Sequence, residues 1–224
     1  MDKIVLTPNL LIEWYVIGVT SLIPLVNPFS TVPLLLSLTR GMPIEVRQRQ
    51  ATRAAIYSAI LMEGTLLAGS GVLAFFNISM PALRIAGGLV VAFLGFRMLF
   101  PPHTRERAES VETQDDMSDY SFVPLAFPSL CGAGTMALLI SYSSTIGSWA
   151  TDLVVKFAAH GAGLLAIITV ALFAGWLLRS ASTVARYLGH SGMDAIERIM
   201  GLLMVCIGVQ FIANGVREFA RLPL

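Results

Sequence analysis

Hydrophobic positions along this chain are grouped into six long stretches that polar clusters separate. A helix needs ~20 predominantly apolar residues to cross the hydrocarbon core of a bilayer, and every stretch approaches or exceeds that length. The pattern therefore predicts an all-α, polytopic membrane protein with six transmembrane helices. The predicted spans cover residues 14–39, 54–76, 81–100, 121–151, 161–178 and 199–216.

Prolines and glycines interrupt the first and the fourth of these spans. Each proline removes a backbone donor and disfavours helical geometry in the residue before it. We therefore expect the first span to break near Asn27-Pro28 and the fourth to break early, near the glycines of LCGAGT. The interrupting residues are Pro24, Pro28 and Pro33 in the first span, and Pro124, Pro128, Gly132 and Gly134 in the fourth.

Composition and motifs narrow the function classes. Of the 224 residues, 55% are hydrophobic and only 13% are charged, whereas about a quarter are charged in an ordinary globular domain. The net charge of +1, without a basic stripe that contains aromatic residues, argues against a nucleic-acid partner. Neither cysteine has a second ligand at metal-binding spacing, and the chain contains no HExxH or GxSxG motif. We expect no metal, no cofactor and no enzymatic activity.

Residues 101–120 form the one hydrophilic insert of the chain and are dense in charge. We interpret them as a cytoplasmic linker between a first three-span repeat, residues 1–100, and a second, residues 121–224. In a six-span protein, loops one-two, three-four and five-six share a side. Because cytoplasmic loops are enriched in Lys and Arg, that side should face inward and both termini outward. Its basic residues are Arg40, Arg47, Arg49, Arg53, Arg97, Arg105, Arg107, Arg179, Arg186 and Arg198.

The two halves contain similar segments at an offset of 113 residues. MPALRIAGGLVVAFLG, from Met80, aligns with MDAIERIMGLLMVCIG, from Met193, so that Gly88 matches Gly201 and Gly95 matches Gly208. A repeat of three spans, an odd number, inserts with opposite orientation in its two copies. The pattern therefore predicts two inverted three-helix repeats, each beginning with a broken helix, which is the plan of many secondary transporters.

Four segments of the chain resemble the MarC-related integral membrane proteins, a group that includes a small neutral amino acid transporter. These segments are LVNPFSTVPLLLSLT, MPALRIAGGLVVAFLGFRMLFP, FVPLAFPSLCGAGTMALLIS and IERIMGLLMVCIGVQFIANGV. The resemblance implies the family's fold and topology, a bacterial inner (plasma) membrane location, and transport of small neutral solutes such as amino acids. One departure is Ala133 between Gly132 and Gly134, where the family usually has proline, which leaves room for a more continuous helix.

The two expected breaks provide the candidate substrate-binding residues. Non-helical backbone at membrane depth is tolerated where protein, water or substrate satisfies its polar groups. The competing interpretation is that Pro and Gly only kink closely packed spans, with hydroxyls bonded back to their own helix. The candidates are Asn27, Pro28, Ser30 and Thr31 at the first break, and Gly132, Gly134 and Thr135 at the second.

Glu63 is the only acidic residue deep within a predicted span. An ionisable group at that depth costs roughly 2.5 to 3.5 kcal/mol or more, so it is a candidate for proton coupling. A neutral Glu63 bonded to a neighbouring span would serve the structure equally well. The coupling ion of a secondary transporter would be H⁺ or Na⁺.

The leading functional hypothesis is a secondary transporter for small neutral solutes, working by alternating access around the two broken helices. Its partners would be the lipid bilayer and a small-molecule substrate. Two alternatives stay open: a non-transporting membrane scaffold or sensor that uses the hydrophilic insert, and a channel formed by oligomerisation. A pump driven by ATP is disfavoured because the chain has no GxxxxGK[ST] loop.

Overall fold

The computed structural model describes residues 8–100, 119–149 and 153–220. Within these ranges all the regular elements are helical. Five helices are long and apolar enough to span a membrane, and the bent pair formed by Ser121–Leu130 and Ala133–Gly147 raises the number to six. The expected all-α membrane fold is thereby confirmed. The elements are α1 (Pro8–Val26), α2 (Pro28–Leu38), α3 (Ile44–Phe75), α4 (Met80–Leu99), an irregular helical segment (Ser121–Leu130), α5 (Ala133–Trp149), α6 (Leu153–Arg179) and α7 (Ala181–Phe219).

The first span breaks at Asn27, as the proline pattern predicts. Asn27 has left-handed dihedrals, φ 41° and ψ 62°, between α1 and α2. The ring of Pro28 disfavours right-handed helical geometry in the preceding residue, and asparagine tolerates the left-handed region better than most residues. Pro28 then occupies the first turn of α2, where its missing N–H would have had no helical partner.

The fourth span is broken between the irregular segment and α5, which are inclined to each other by 63°. Val123 and Phe127 each precede a proline and have extended backbone dihedrals. The Cys131 N–H donates to the Ala126 carbonyl across five residues, at 2.8 Å, so the coil is wider than an α-helix. Gly132 follows, and α5 starts at Ala133. Alanine in place of the family's usual proline therefore leaves the break intact.

Several helices extend beyond the spans that hydrophobicity predicts. α3 begins at Ile44 rather than at residue 54, and α6 begins at Leu153 rather than at residue 161. α7 begins at Ala181, so residues 181–198, expected as part of a loop, are helical apart from a change of backbone direction at Gly189, φ 62°. Hydrophobicity reports only the membrane-embedded part of a helix. The linker prediction for residues 101–120 falls almost entirely on residues 101–118, which lie outside the described ranges.

The helices of the two halves pack against each other in a reciprocal pattern. α1 packs along α6, whereas the irregular segment and α5 pack along α3. Each broken span thus contacts the second span of the other half. α4 and α7, the third spans, have the most extensive contact in the molecule. The main core lies where the broken spans meet α3 and α6; its fully buried large side chains include Leu35, Met62, Leu66, Leu125, Leu130 and Ile167.

Glycines allow α4 and α7 to approach at backbone distance. A Cβ atom added to Gly88 would lie 2.6 Å from the Gly208 carbonyl oxygen, and one added to Gly95 would lie 2.6 Å from the Gly201 carbonyl oxygen. From the first contact to the second, the residue number increases on α4 and decreases on α7, so the two helices are antiparallel. Small residues at such crossings permit close van der Waals packing in lipid. We call this contact the glycine seam.

Candidate functional site

The two helix breaks meet at one cavity of about 360 Å³. We call it the Asn27 cavity. From the first break it is lined by Asn27 and Ser30, and from the second by Gly132, Gly134 and Thr135. The structure thus brings together five of the seven residues predicted to bind substrate. Its other lining residues are Leu25, Leu94, Arg97, Met98, Pro128, Ser129, Glu197 and Met204.

The two breaks meet because they lie at the same depth. α2 continues for 11 residues beyond Asn27, and the irregular segment is 10 residues long before the second break. The end of α2 and the start of the irregular segment both contact the start of α3. There, Arg47 Nε donates to Thr39 Oγ1 at 2.8 Å, and Arg53 pairs with Asp119 at 2.8 Å. Both breaks are therefore about ten residues from the arginine-bearing end of the molecule.

Asp119 fixes the start of the irregular segment at that end. Its carboxylate accepts hydrogen bonds from the hydroxyl and the backbone N–H of Ser121, in addition to its ion pair with Arg53. The Ser121 hydroxyl makes the largest contribution to holding the pKa of Asp119 below its ordinary value. The fourth span thus begins at an ion pair with α3, outside the apolar stretch.

Two buried oxygen atoms at the Asn27 cavity have no hydrogen-bond partner in the described part of the chain. They are Asn27 Oδ1 and Thr135 Oγ1, one from each break. Asn27 is 4% exposed and Thr135 is 1% exposed, so bulk water does not cover them freely. A buried polar atom without a partner costs about 1 to 3 kcal/mol, and such atoms are uncommon in native proteins. Both residues line the Asn27 cavity, so a polar solute would reach these oxygens after a small shift of the side chains that cover them.

The cavity also presents two helix N-termini and charges of both signs. α2 begins beside Asn27, and α5 begins beside Gly132. The first N–H groups of a helix have no intrahelical acceptor and carry partial positive charge, which suits an anionic group. Arg97 on α4 and Glu197 on α7 line the cavity as well. The lining therefore combines groups that would attract a carboxylate with one that would attract an ammonium group.

The remaining two candidates stand beside the cavity rather than at its surface. Pro28 is buried at the start of α2. Thr31 is fully buried, and its hydroxyl bonds to the Ser129 hydroxyl at 2.8 Å. Ser129 lines the cavity, so the bond joins the two broken spans directly behind it. Pro28 and Thr31 are placed to shape the site.

Glu63 lies on α3, away from the lining of the Asn27 cavity. Its Oε2 atom is buried and has no hydrogen-bond partner within the described ranges. His160 on α6 is the ionisable neighbour close enough to interact with the carboxylate electrostatically. The structure therefore places Glu63 on α3, which packs along α6, and not at the helix breaks.

A second cavity of about 430 Å³ lies at the opposite end of α4 and α7. We call it the Arg84 cavity. The Arg84 guanidinium on α4 donates to Ser141 Oγ at 3.3 Å and to Thr145 Oγ1 at 3.1 Å on α5, and pairs with Glu218 at the end of α7. One side chain thus connects three helices. The lining of the Arg84 cavity also includes Glu13, Trp14, Leu138, Tyr142 and Asn214.

Replacing Arg84 by glutamine should lower the stability of this helix arrangement. The substitution removes an ion pair and charge-assisted hydrogen bonds that are partly shielded from water, at a cost of about 1 to 2 kcal/mol. Glu218→Gln should cost less because it leaves both hydroxyl contacts of Arg84 in place. Thermal unfolding in detergent measures both effects. Arg217→Gln, at an exposed position next to Glu218, is the control; an equal loss at Arg217 would contradict a specific role for Arg84.

An apolar layer separates the two cavities. Leu25, Val91 and Met204 form a buried cluster against which Leu138 packs. Leu25 and Met204 line the Asn27 cavity, whereas Leu138 lines the Arg84 cavity. We call these four residues the septum. Val91 and Met204 are 113 residues apart, and so are Leu25 and Leu138, which is the offset of the internal repeat.

Several lining residues were not predicted from the sequence. Ser129, Glu197 and Met98 lack an individual signal because serine, an acid near a span end and methionine are ordinary in such positions. For Glu197 the internal repeat does provide a signal, since the offset of 113 residues aligns Glu197 with Arg84. Each of these two charged residues lines one of the two cavities.

Comparisons with known proteins identify the family of this chain. The family model described as MarC family integral membrane protein matches residues 12–220. The chain is 42% identical over 214 residues to inner membrane protein MarC of Escherichia coli strain K12, covering 92% of this chain and 95% of that protein. The protein of the same name from Shigella flexneri matches with the same identity and coverage. No solved structure matches the chain significantly. This chain belongs to the MarC family of integral membrane proteins.

Proposed function

We propose that this protein is a secondary transporter, and not an enzyme, that carries small neutral solutes across the bacterial inner membrane, with amino acids as its substrates. The observation that supports the proposal most strongly is the meeting of both helix breaks at the Asn27 cavity. Two buried oxygens there, Asn27 Oδ1 and Thr135 Oγ1, have no partner among the described residues. Interrupted helices near the middle of the membrane are where secondary transporters bind their substrates.

The chemistry of the cavity favours a zwitterion. A carboxylate would accept hydrogen bonds from the N-terminus of α5 and would lie near the positive end of α2, with Arg97 nearby, and an ammonium group would donate to Asn27 Oδ1 and to Glu197. Thr135 Oγ1 can accept from the ammonium group or donate to the carboxylate. A volume of about 360 Å³ is at the small end for ligand pockets, which suits an amino acid with a short side chain.

Alternating access requires two routes to the site and a barrier between them. The Asn27 cavity and the Arg84 cavity lie at opposite ends of α4 and α7, with the septum between them. Repacking of the septum, together with release of the Arg84 contacts, would expose the site to the other side.

The glycine seam supports the inverted repeat on which such a cycle depends. Gly88 contacts Gly208, and Gly95 contacts Gly201. The offset of 113 converts the first contact into the second, as a twofold axis between the halves would do. The reciprocal packing of the broken spans on α6 and α3 is consistent with the same axis. Two inverted repeats can exchange conformations to give inward-open and outward-open states of similar energy.

The relatives support the location that the proposal requires. The Escherichia coli and Shigella flexneri proteins are named inner membrane proteins, and we extend that location to this chain. The arginine-bearing end would face the cytoplasm and both termini would face outward. Glu63, whose carboxylate interacts electrostatically with His160, is the proposed site of proton coupling because it can bind and release a proton and one of its oxygens is buried.

The proposal is tested by flux in proteoliposomes. Purified protein is reconstituted, and uptake of labelled glycine, alanine and serine is measured with and without proton and sodium gradients. We expect saturable uptake that one gradient accelerates and that an excess of the same unlabelled amino acid suppresses. Absence of saturable flux for all three amino acids, in protein shown to be folded, would refute the amino-acid proposal.

Two further measurements distinguish the alternatives. Counterflow, in which unlabelled solute inside drives labelled solute inward, occurs with a carrier and not with an open channel. Deletion of residues 104–118 should leave flux unimpaired if the protein is a transporter. Loss of flux on this deletion would instead indicate that the hydrophilic insert is the working part, as the scaffold or sensor alternative requires.

A further inference from the structure

A groove on the membrane-facing surface between α3 and α6 has a volume of about 360 Å³. Its floor is made of small residues, and its walls are large apolar side chains that stay exposed, among them Leu172 at 69% and Ile56 at 52%. It lies outside both cavities of the proposed transport route. The lining residues are Thr52, Ala55, Ile56, Ala59, Ile168, Ala171, Leu172, Gly175, Trp176 and Arg179.

The groove has the length of half a membrane. It follows α6 from Ile168, near the middle of the helix, to Arg179, its last residue. Eleven residues of helix rise about 16 Å, and half of the hydrocarbon core of a bilayer is roughly 15 Å thick. One acyl chain would therefore fit along the groove, with its end near the membrane centre.

The groove ends at positive charge. Arg179 is exposed and donates one hydrogen bond to Thr52 Oγ1, at 3.3 Å. A guanidinium group has five N–H donors, so donors remain for a phosphate group. Arg49 lies within one turn of Thr52 on α3 and is exposed, whereas Arg53 is paired with Asp119. An occupant that is apolar along about 16 Å and anionic at one end has the chemistry of an acidic phospholipid.

We propose that this groove binds an anionic phospholipid of the leaflet at the arginine-bearing end, with one acyl chain between α3 and α6 and the phosphate group on Arg179. The lipid would cover the exposed walls and fill a gap at the surface where the two halves contact each other. Because α3 and α6 are the second spans of the two halves, bound lipid would stabilise their packing. The proposal does not depend on the transport function.

Native mass spectrometry of the purified protein tests the proposal, with dioleoyl phosphatidylglycerol and dioleoyl phosphatidylcholine as probes. The wild type should retain more phosphatidylglycerol than phosphatidylcholine. Arg179→Gln should weaken phosphatidylglycerol binding about fivefold, since one arginine near a membrane surface contributes about 1 kcal/mol to the binding of anionic lipid. Arg217→Gln, an exposed arginine at the other end of the molecule, is the charge control and should leave binding unchanged.

The acyl-chain half of the proposal needs its own variant. Ile56→Ala combined with Leu172→Ala removes two exposed walls without opening the core, and should weaken retention of both lipids. The matched control is Ile199→Ala combined with Leu202→Ala, two exposed positions on α7. Equal retention of the two lipids by the wild type, or an unchanged preference in Arg179→Gln, would overturn the proposal. A dimer that the groove variant dissociates and the α7 control does not would show that a second copy occupies the groove, which would also overturn it.

Discussion

Gly95→Val is expected to lower the melting temperature of the protein by about 5 to 10 °C, because the seam between α4 and α7 has no room for a side chain. A Cβ at Gly95 would lie 2.6 Å from the Gly201 carbonyl oxygen and 2.8 Å from the backbone N of Val205. Backbone atoms cannot move aside as a flexible side chain can. The two helices would have to separate, and the close packing that replaces the hydrophobic effect inside a membrane would be lost.

Gly64→Val is the matched control for this prediction. Gly64 lies in the interior of α3, and a Cβ added there meets nothing within 4 Å. The same glycine-to-valine change in a helix should therefore leave the melting temperature unchanged or raise it slightly. Thermal unfolding followed by tryptophan fluorescence in detergent measures both variants. If Gly95→Val has the same melting temperature as the wild type, the glycine seam is wider than the structure shows. If both variants lose the same stability, the loss comes from valine in a helix and not from the seam.

The helix breaks could be predicted from the sequence because their causes are local. Proline restricts the residue before it, and Asn27 is one of the few residue types that adopts left-handed dihedrals readily. The second break has local causes too: Val123 and Phe127 precede prolines, and Gly132 follows them. The locations of the spans were equally accessible, since an apolar stretch of membrane length has few alternatives to a transmembrane helix.

The ends of the helices could not be predicted in the same way. α3 begins at Ile44, ten residues before the predicted span. Its first three turns are helical but polar and arginine-rich, so the hydrophobic pattern did not include them. Hydropathy indicates which part of a helix lies in lipid, and it does not indicate how far the helix continues into water. The same cause explains why residues 181–198 of α7 were expected in a loop.

The composition of the site depended on tertiary packing. The five cavity residues of the two breaks come from segments about a hundred residues apart, and what brings them together is the equal depth of the breaks. Glu197 and Ser129 lie at the cavity because α7 and the irregular segment pass beside it, which no local pattern records. The Arg84 contacts to α5 and α7 are of the same kind.

Thr135→Val is expected to lower amino-acid flux about tenfold or more while leaving the stability of the protein unchanged or higher. Valine has nearly the shape of threonine but lacks the hydroxyl. Within the described ranges, Thr135 Oγ1 is buried without a hydrogen-bond partner, so removing it breaks no described contact and relieves a desolvated polar atom. If the hydroxyl bonds to substrate, its loss costs about 1.4 kcal/mol or more of binding, which corresponds to the tenfold effect.

The loss of flux without a loss of stability makes the Thr135→Val experiment decisive. A residue with only a structural role would change flux and stability in the same direction. Thr20→Val is the matched control, since Thr20 is exposed on α1 and its hydroxyl bonds back to the Val16 carbonyl at 2.8 Å. Asn27→Gly complements the Thr135→Val variant at the other helix break. It removes the side-chain amide and keeps the left-handed backbone, which glycine adopts without strain. Flux in proteoliposomes and thermal unfolding are measured on each variant. Thr135→Val protein that is folded and transports at the wild-type rate would show that the solute does not bind between the two helix breaks.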